Sequence, residues 1–177
     1  DDSADTTGRN ATLSRPQFNL AALTGLAPAA INFGISDTSQ SGVSLLFLTA
    51  GSGDDQLAVN VNGTDLIHGP AIFFDGGTGS NILTLTGTPT TTVQNTTYQP
   101  GTGVGSGNLE ANDGQVMDVN FSNVARVIDL MTANVLTIND FFPPETGPAP
   151  STPFTYTQGS SPSNGLVTVD GATPVEF

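Results

Sequence analysis

Leu45-Leu46-Phe47-Leu48-Thr49-Ala50-Gly51-Ser52-Gly53-Asp54-Asp55-Gln56-Leu57-Ala58-Val59 decides how this chain reads, because it recurs. Moved forward by 26 positions it meets Ala71-Ile72-Phe73-Phe74-Asp75-Gly76-Gly77-Thr78-Gly79-Ser80-Asn81-Ile82-Leu83-Thr84-Leu85 without a gap. A fixed period of this length marks stacked supersecondary units. Moved by 26 once more, Gly77, Gly79 and Leu83 meet Gly103, Gly105 and Leu109; moved backwards, Gly51 meets Gly25 and Leu57 meets Ile31. With small insertions, Asn81-Ile82-Leu83-Thr84-Leu85 is similar to Asn134-Val135-Leu136-Thr137-Ile138. Thr97-Tyr98-Gln99 is likewise similar to Thr155-Tyr156-Thr157. The anchoring apolar positions are Ile31, Leu57, Leu83, Leu109, Leu136 and Leu166, at spacings of 26, 26, 26, 27 and 30.

Each unit reads as a short apolar strand, a Gly-rich turn, a second strand and another turn. Leu83-Thr84-Leu85-Thr86 alternates, placing Leu on one face and Thr on the other. Asn62-Gly63, Asp75-Gly76, Asp113-Gly114, Asn164-Gly165 and Asp170-Gly171 are turn dipeptides, since Gly, Asn and Asp tolerate positive φ. No stretch has a helical period; Leu20 to Leu26 could form one helical turn at most. The expectation is an all-β fold, a β-solenoid like a parallel β-helix with about six 26-residue units. A β-sandwich of hairpins is the alternative. Residues 1–15 read as an N-terminal tail or exchange arm, and 16–177 as a single β-repeat domain. Phe142 to Pro150 is a Pro-rich insertion.

Charge narrows the function classes. Sixteen acidic residues stand against three Arg and no Lys, a net charge of -13. Phosphate binding needs a basic footprint, so nucleic acid is not an expected partner. The longest apolar stretch, Val43 to Leu48, is strand-sized, and membrane insertion is not expected. With no Cys, disulfides, thiolate metal sites and Cys nucleophiles are excluded.

Phe74-Asp75-Gly76-Gly77-Thr78-Gly79-Ser80-Asn81-Ile82-Leu83-Thr84-Leu85-Thr86-Gly87-Thr88 resembles the Gly/Asp/Asn/Thr-rich β-repeats of very large secreted bacterial surface proteins and adhesins. So does Gly165-Leu166-Val167-Thr168-Val169-Asp170-Gly171, and the resemblance covers residues 45 to 177. It implies an extracellular or cell-surface setting, repeated copies and a structural or adhesive role. More distantly, Gly76 to Thr84 and Ala50 to Ala58 are similar to the calcium-binding nonapeptide of RTX proteins, with Asn81 where that family has Asp. That likeness makes Asp54, Asp55 and Asp75 the candidate Ca²⁺ ligands. Here the copies lie 26 apart rather than in tandem, and Ca²⁺ takes six to eight oxygens, so plain Gly turns are the simpler reading and no cofactor is expected.

Catalytic chemistry finds few residues to use. His68 is the single His, and a lone His in a turn is ordinarily solvated. Asp37-Thr38-Ser39 resembles half of an aspartic-protease motif, but no second copy is present. There is no GxSxG elbow. The chain is therefore expected not to be an enzyme. Asn10, Asn62, Asn95 and Asn120 open Asn-x-Ser/Thr sequons and are glycan candidates, with Glu145 to Pro153 suited to O-glycans. The C-terminal Val175-Glu176-Phe177 reads as a strand without a cap, and Arg15 to Leu20 as an extended arm. Phe18, Leu20, Val175 and Phe177 are thus the assembly candidates for a head-to-tail homo-polymer formed by strand pairing. The expected role is a structural subunit or module of a filament, sheath or surface layer. An adhesin or carbohydrate-binding module, with Ca²⁺ assistance, is the alternative, and Tyr98 and Tyr156 are its platform candidates.

Overall fold

A computed structural model describes residues 1–35, 42–103, 105–139, 154–169 and 172–177. The described residues form fifteen strands and no helix. In chain order these are β1 (Asn10–Gln17), β2 (Leu20–Thr24), β3 (Ile31–Gly34), β4 (Leu45–Thr49) and β5 (Gln56–Asn60). Next come β6 (Ala71–Asp75), β7 (Ile82–Thr86), β8 (Val93–Pro100), β9 (Gly107–Asn112) and β10 (Val116–Ser122). The last five are β11 (Arg126–Asp129), β12 (Ala133–Ile138), β13 (Phe154–Gln158), β14 (Gly165–Val169) and β15 (Val175–Glu176). Asp37-Thr38-Ser39, the Pro-rich insertion, the O-glycan segment and the Asp170-Gly171 turn lie outside the described residues.

The strands make two mixed sheets. The nine-stranded sheet runs β13-β14-β15-β11-β7-β5-β1-β2-β3, and the six-stranded sheet β12-β8-β9-β10-β6-β4. In the larger sheet the five middle strands are parallel, and an antiparallel pair flanks them on each side. In the smaller sheet β4, β6 and β10 are parallel, β9 runs against its neighbours, and β12 lies parallel to β8. The larger sheet reverses direction four times and the smaller twice, so among the described residues the two edge strands of each sheet point the same way: β3 with β13, and β4 with β12.

Side-chain alternation builds the core. Across the larger sheet Ala11, Leu57, Leu83, Val127 and Val175 stand in one register row, all buried. Across the smaller sheet Leu46, Ile72, Val119, Leu109, Tyr98 and Ile138 form a second row, buried in its middle and partly buried at Leu46 and Ile138. The inward residues of both sheets form one apolar cluster. Burying a Leu or Val here contributes roughly 1.5–3 kcal/mol each before entropy is counted.

The 26-residue period is a pairing register for one step. Leu45 lies beside Ala71 and Leu57 beside Leu83, both in parallel. Elsewhere the register departs from it. Leu83 pairs with Val127, because the excursion β8-β9-β10 lies between the two strands. Leu109 belongs to the other sheet, opposite Val119 and Tyr98. Ile31 stands opposite Leu23, Leu136 beside Thr96, and Leu166 opposite Thr157 and Glu176. The expected count of six 26-residue units is corrected accordingly. The same strand-turn composition recurs, but hairpins serve as often as parallel returns.

The N-terminal expectation is also corrected. Residue 15 falls inside β1, which pairs with β5 on one side and β2 on the other and buries Leu13 completely. Leu20 opens a strand, not a helical turn. Val175 is likewise internal, between β14 and β11, since the ladder needs it on both sides. Phe177 exchanges two backbone hydrogen bonds with Gly165 (2.8 and 3.0 Å), so it too is already paired. Of the four assembly candidates only Phe18 is largely exposed, at 70%.

Candidate functional site: stacked turns and open strand edges

The Gly-rich turns lie directly on one another. Arg9 N–H donates to Asp55 Oδ1 (2.7 Å), and Asp55 N–H donates to Asn81 Oδ1 (2.8 Å). Asn81 Nδ2 in turn donates to the Asn123 carbonyl (2.9 Å). The backbone follows the same column: Gln56 N–H to Arg9 O, Ile82 N–H to Asp55 O, and Ala125 N–H to Asn81 O. Asn81 and Asp55 are both buried, so these bonds are shielded from water. A Cβ at Gly51 would strike the Asp5 carbonyl oxygen, and one at Gly77 would strike that of Gly51. Gly77 also has φ of 68°, a left-handed conformation that other residues adopt only with strain.

This geometry locates the three candidate Ca²⁺ ligands. Asp54 Oδ1 accepts the Ser80 N–H at 2.7 Å. Asp75 Oδ1 accepts from Asn123 Nδ2 (2.7 Å) and the Gly77 N–H (3.0 Å), and these donors hold its carboxyl below the usual range. Asp55 serves the column above. Each carboxylate is therefore aimed at N–H donors of a neighbouring turn. Among the described residues no three His, Cys, Asp or Glu side chains gather as a metal site.

Three buried polar groups stand out, two of them, His68 and Tyr98, where the sequence suggested exposure. His68 is not solvated: its Nε2 lies 3.0 Å from Asp113 Oδ1, with both side chains nearly inaccessible. The pair ties the loop after β5 to the β9–β10 turn. Tyr98 is fully buried, and its hydroxyl donates to the Thr173 carbonyl at 2.7 Å. Burial raises its pKa, and it offers no platform to a ligand. Asp129 takes the inward position next to Leu85, in a register row that otherwise carries Leu13, Val59 and Leu85. Burial pushes its carboxyl up to about 6, against the opposing pull of the Met131 N–H and the Thr96 hydroxyl. A hollow of about 280 Å³ adjoins it, walled by Thr96, Met131, Leu136 and Phe177.

The open edges carry most of the exposed apolar surface. On the outward face of β4, Leu45 is 54% and Phe47 64% exposed. Phe47 stacks on Phe73 of β6 with ring centroids 4.8 Å apart and planes within 16°. Ile31 on β3, Val135 on β12 and Tyr156 on β13 are the exposed apolar residues of the other three edges. The sequence pattern contained the Phe47–Phe73 pair, since the two residues stand 26 apart, but not that β4 would be an edge.

Of the sequon residues, Asn10 and Asn62 are exposed. Asn95 and Asn120 are half-buried and hydrogen-bonded on the outer face of the smaller sheet, Asn95 to Thr97 (3.3 Å) and Asn120 to Asp118 (3.1 Å).

No family model, curated protein or solved structure matches this chain.

Proposed function

We propose that the chain is a non-catalytic structural module of an extracellular filament, sheath or surface layer, built as a two-sheet β-solenoid with hairpin excursions. The observation that carries this reading is directional: the free edges of each sheet run the same way. Simple head-to-tail stacking of copies therefore continues the larger sheet, β13 of one copy against β3 of the next, with strand polarity preserved. Such a contact does not close on itself and yields a linear polymer. The absence of Lys removes a common edge-blocking device. In this reading Asp54, Asp55 and Asp75 are turn caps that need no cation. The extracellular setting follows from the resemblance of the Gly/Asp/Asn turns to secreted surface repeats.

Light scattering over a concentration series tests the proposal. Mass should grow with concentration in the native chain and stay at one chain in the double variant Ile31→Lys, Tyr156→Lys. A native mass of one chain at every concentration would remove self-assembly. The alternative is then the adhesin or carbohydrate-binding reading. What supports it is the stack of exposed Phe47 on half-buried Phe73 beside Asp75, Asn120 and Ser122, around an open hollow of about 320 Å³. Glycan-array binding lost in Phe47→Ala would bring that reading forward.

A further inference from the structure

The smaller sheet stops short. Beyond β5 the larger sheet continues through β1, β2 and β3, whereas among the described residues β4 is the last strand of the smaller sheet. Among the described residues β4 pairs with β6 alone, so its other side is a strand edge, and the larger sheet extends three strands further. The exposed ring face of Phe47 ends an aromatic stack that begins on Phe73. One described residue reaches this edge: Asp2 N–H donates to the Thr49 carbonyl at 2.8 Å. One coil further on, Ala50 N–H makes the corresponding bond to the Asp75 carbonyl, at 2.8 Å, where β4 and β6 are in parallel register. Asp2 thus already occupies a rung of a parallel ladder on β4. The turn from Asp5 to Arg9 then stacks on Gly51 to Asp55 as the next turn does one level on.

We infer that the open edge of β4 is a strand-acceptor site, and that its occupant is an extended strand continuous with Asp1 and parallel to β4. This rests on the reading of the chain as a repeat module. A parallel ladder proceeds one residue per rung, so Asp2 beside Ala50 puts Asp1 beside Thr49 and the second residue before Asp1 beside Phe47. The occupant's chemistry follows from the faces it meets. It alternates, with apolar residues inward to continue the row of Leu46 and Leu48, and an aromatic or branched residue outward over Phe47. A strand arriving untethered from another molecule gains the same hydrogen bonds but pays the full cost of association. One attached to Asp1 is delivered at high effective concentration and in the right direction.

The test adds to the N-terminus of the full chain a copy of its own edge sequence, residues 43–50, and compares it with the native chain and with a scrambled extension of equal composition. Amide hydrogen exchange of Leu45, Phe47 and Thr49 is the readout. The matched extension should slow exchange at β4 by at least tenfold and raise the Tm; the scrambled one should do neither. Equal exchange in all three chains would overturn the inference. A second measurement is independent of the extension's solubility. The native chain has no Cys, so Phe47→Cys combined with a Cys at the second position before Asp1 should form an intramolecular disulfide under mild oxidation. A Cys placed one residue either side should not, and equal crosslinking at all positions would contradict the register. Filaments with an unprotected β4 would sink this inference and leave the structural reading standing. A protected β4 without filaments would do the reverse.

Discussion

Asn81 shows how a single side chain sets the geometry of a turn. It is fully buried, accepts from the Asp55 N–H and donates to the Asn123 carbonyl, so it joins three levels of the stack. Replacing it with Leu leaves the buried Asp55 N–H without a partner, at about 1–3 kcal/mol, and frees the more exposed Asn123 carbonyl. Asn81→Leu should therefore lower the urea midpoint sharply, and Asn81→Asp, which keeps the acceptor and loses the donor, by less. Asp129 makes the opposite case, a polar residue in an apolar row. Its folded carboxyl, near 6, lies above its ordinary value of 3.8. The fold holds the proton more tightly than the unfolded chain does, so this group's contribution is complete below 3.8 and lost as pH rises through 6. Two units correspond to about 3 kcal/mol. Urea melts at pH 4.5 and 7.5 should show native stability falling over that interval, and Asp129→Asn should flatten the fall. Asp5, Asp65 and Asp75 have lowered values and act the other way, below the ordinary carboxylate range, so the two effects separate on the pH axis. Neither role was legible from sequence. Asn81 reads as one more turn residue, and Asp129 is inward only because β11 pairs with β7, a long-range fact.

At the scale of elements, the strand pairing from Leu45 to Leu85 was legible, because these strands pair at the spacing the sequence repeats. Alternation also marked the buried faces correctly: Leu57, Val59, Leu83 and Leu85 are all inaccessible. What the period could not reveal was which neighbour each later strand would choose. Leu109 and Leu83 occupy equivalent places in the pattern, yet β9 turns back in a hairpin while β7 continues a parallel stack. Hairpin and parallel return use the same Leu/Thr alternation and the same Gly turns, so composition does not separate them. The turns themselves make a sharp prediction. Gly77→Ala places a Cβ against the Gly51 carbonyl in a left-handed backbone, whereas Gly63→Ala meets nothing within 4 Å although its φ is also positive. The first should lower the Tm far more than the second, by calorimetry, because only the first forces two turns apart. Leu83→Ala should cost about 2–5 kcal/mol, typical of a cavity in a packed row.

For the whole molecule, a net charge of -13 opposes close approach of copies. Raising ionic strength from roughly 10 mM to 0.15 M shortens the screening length from about 30 Å to about 8 Å. Assembly should therefore increase with salt, and NaCl and CaCl2 at matched ionic strength should act alike if Asp54, Asp55 and Asp75 only cap turns. A lag of the sodium samples behind matched calcium samples would reopen the cation reading. The central claim is that copies add end to end along the larger sheet. Electron microscopy of the concentrated protein at physiological salt tests it most directly. Unbranched filaments one molecule wide are expected, with an axial repeat near nine strand spacings, roughly 43 Å. A field of single, uniform particles the size of one chain, unchanged by concentration and salt, would contradict it.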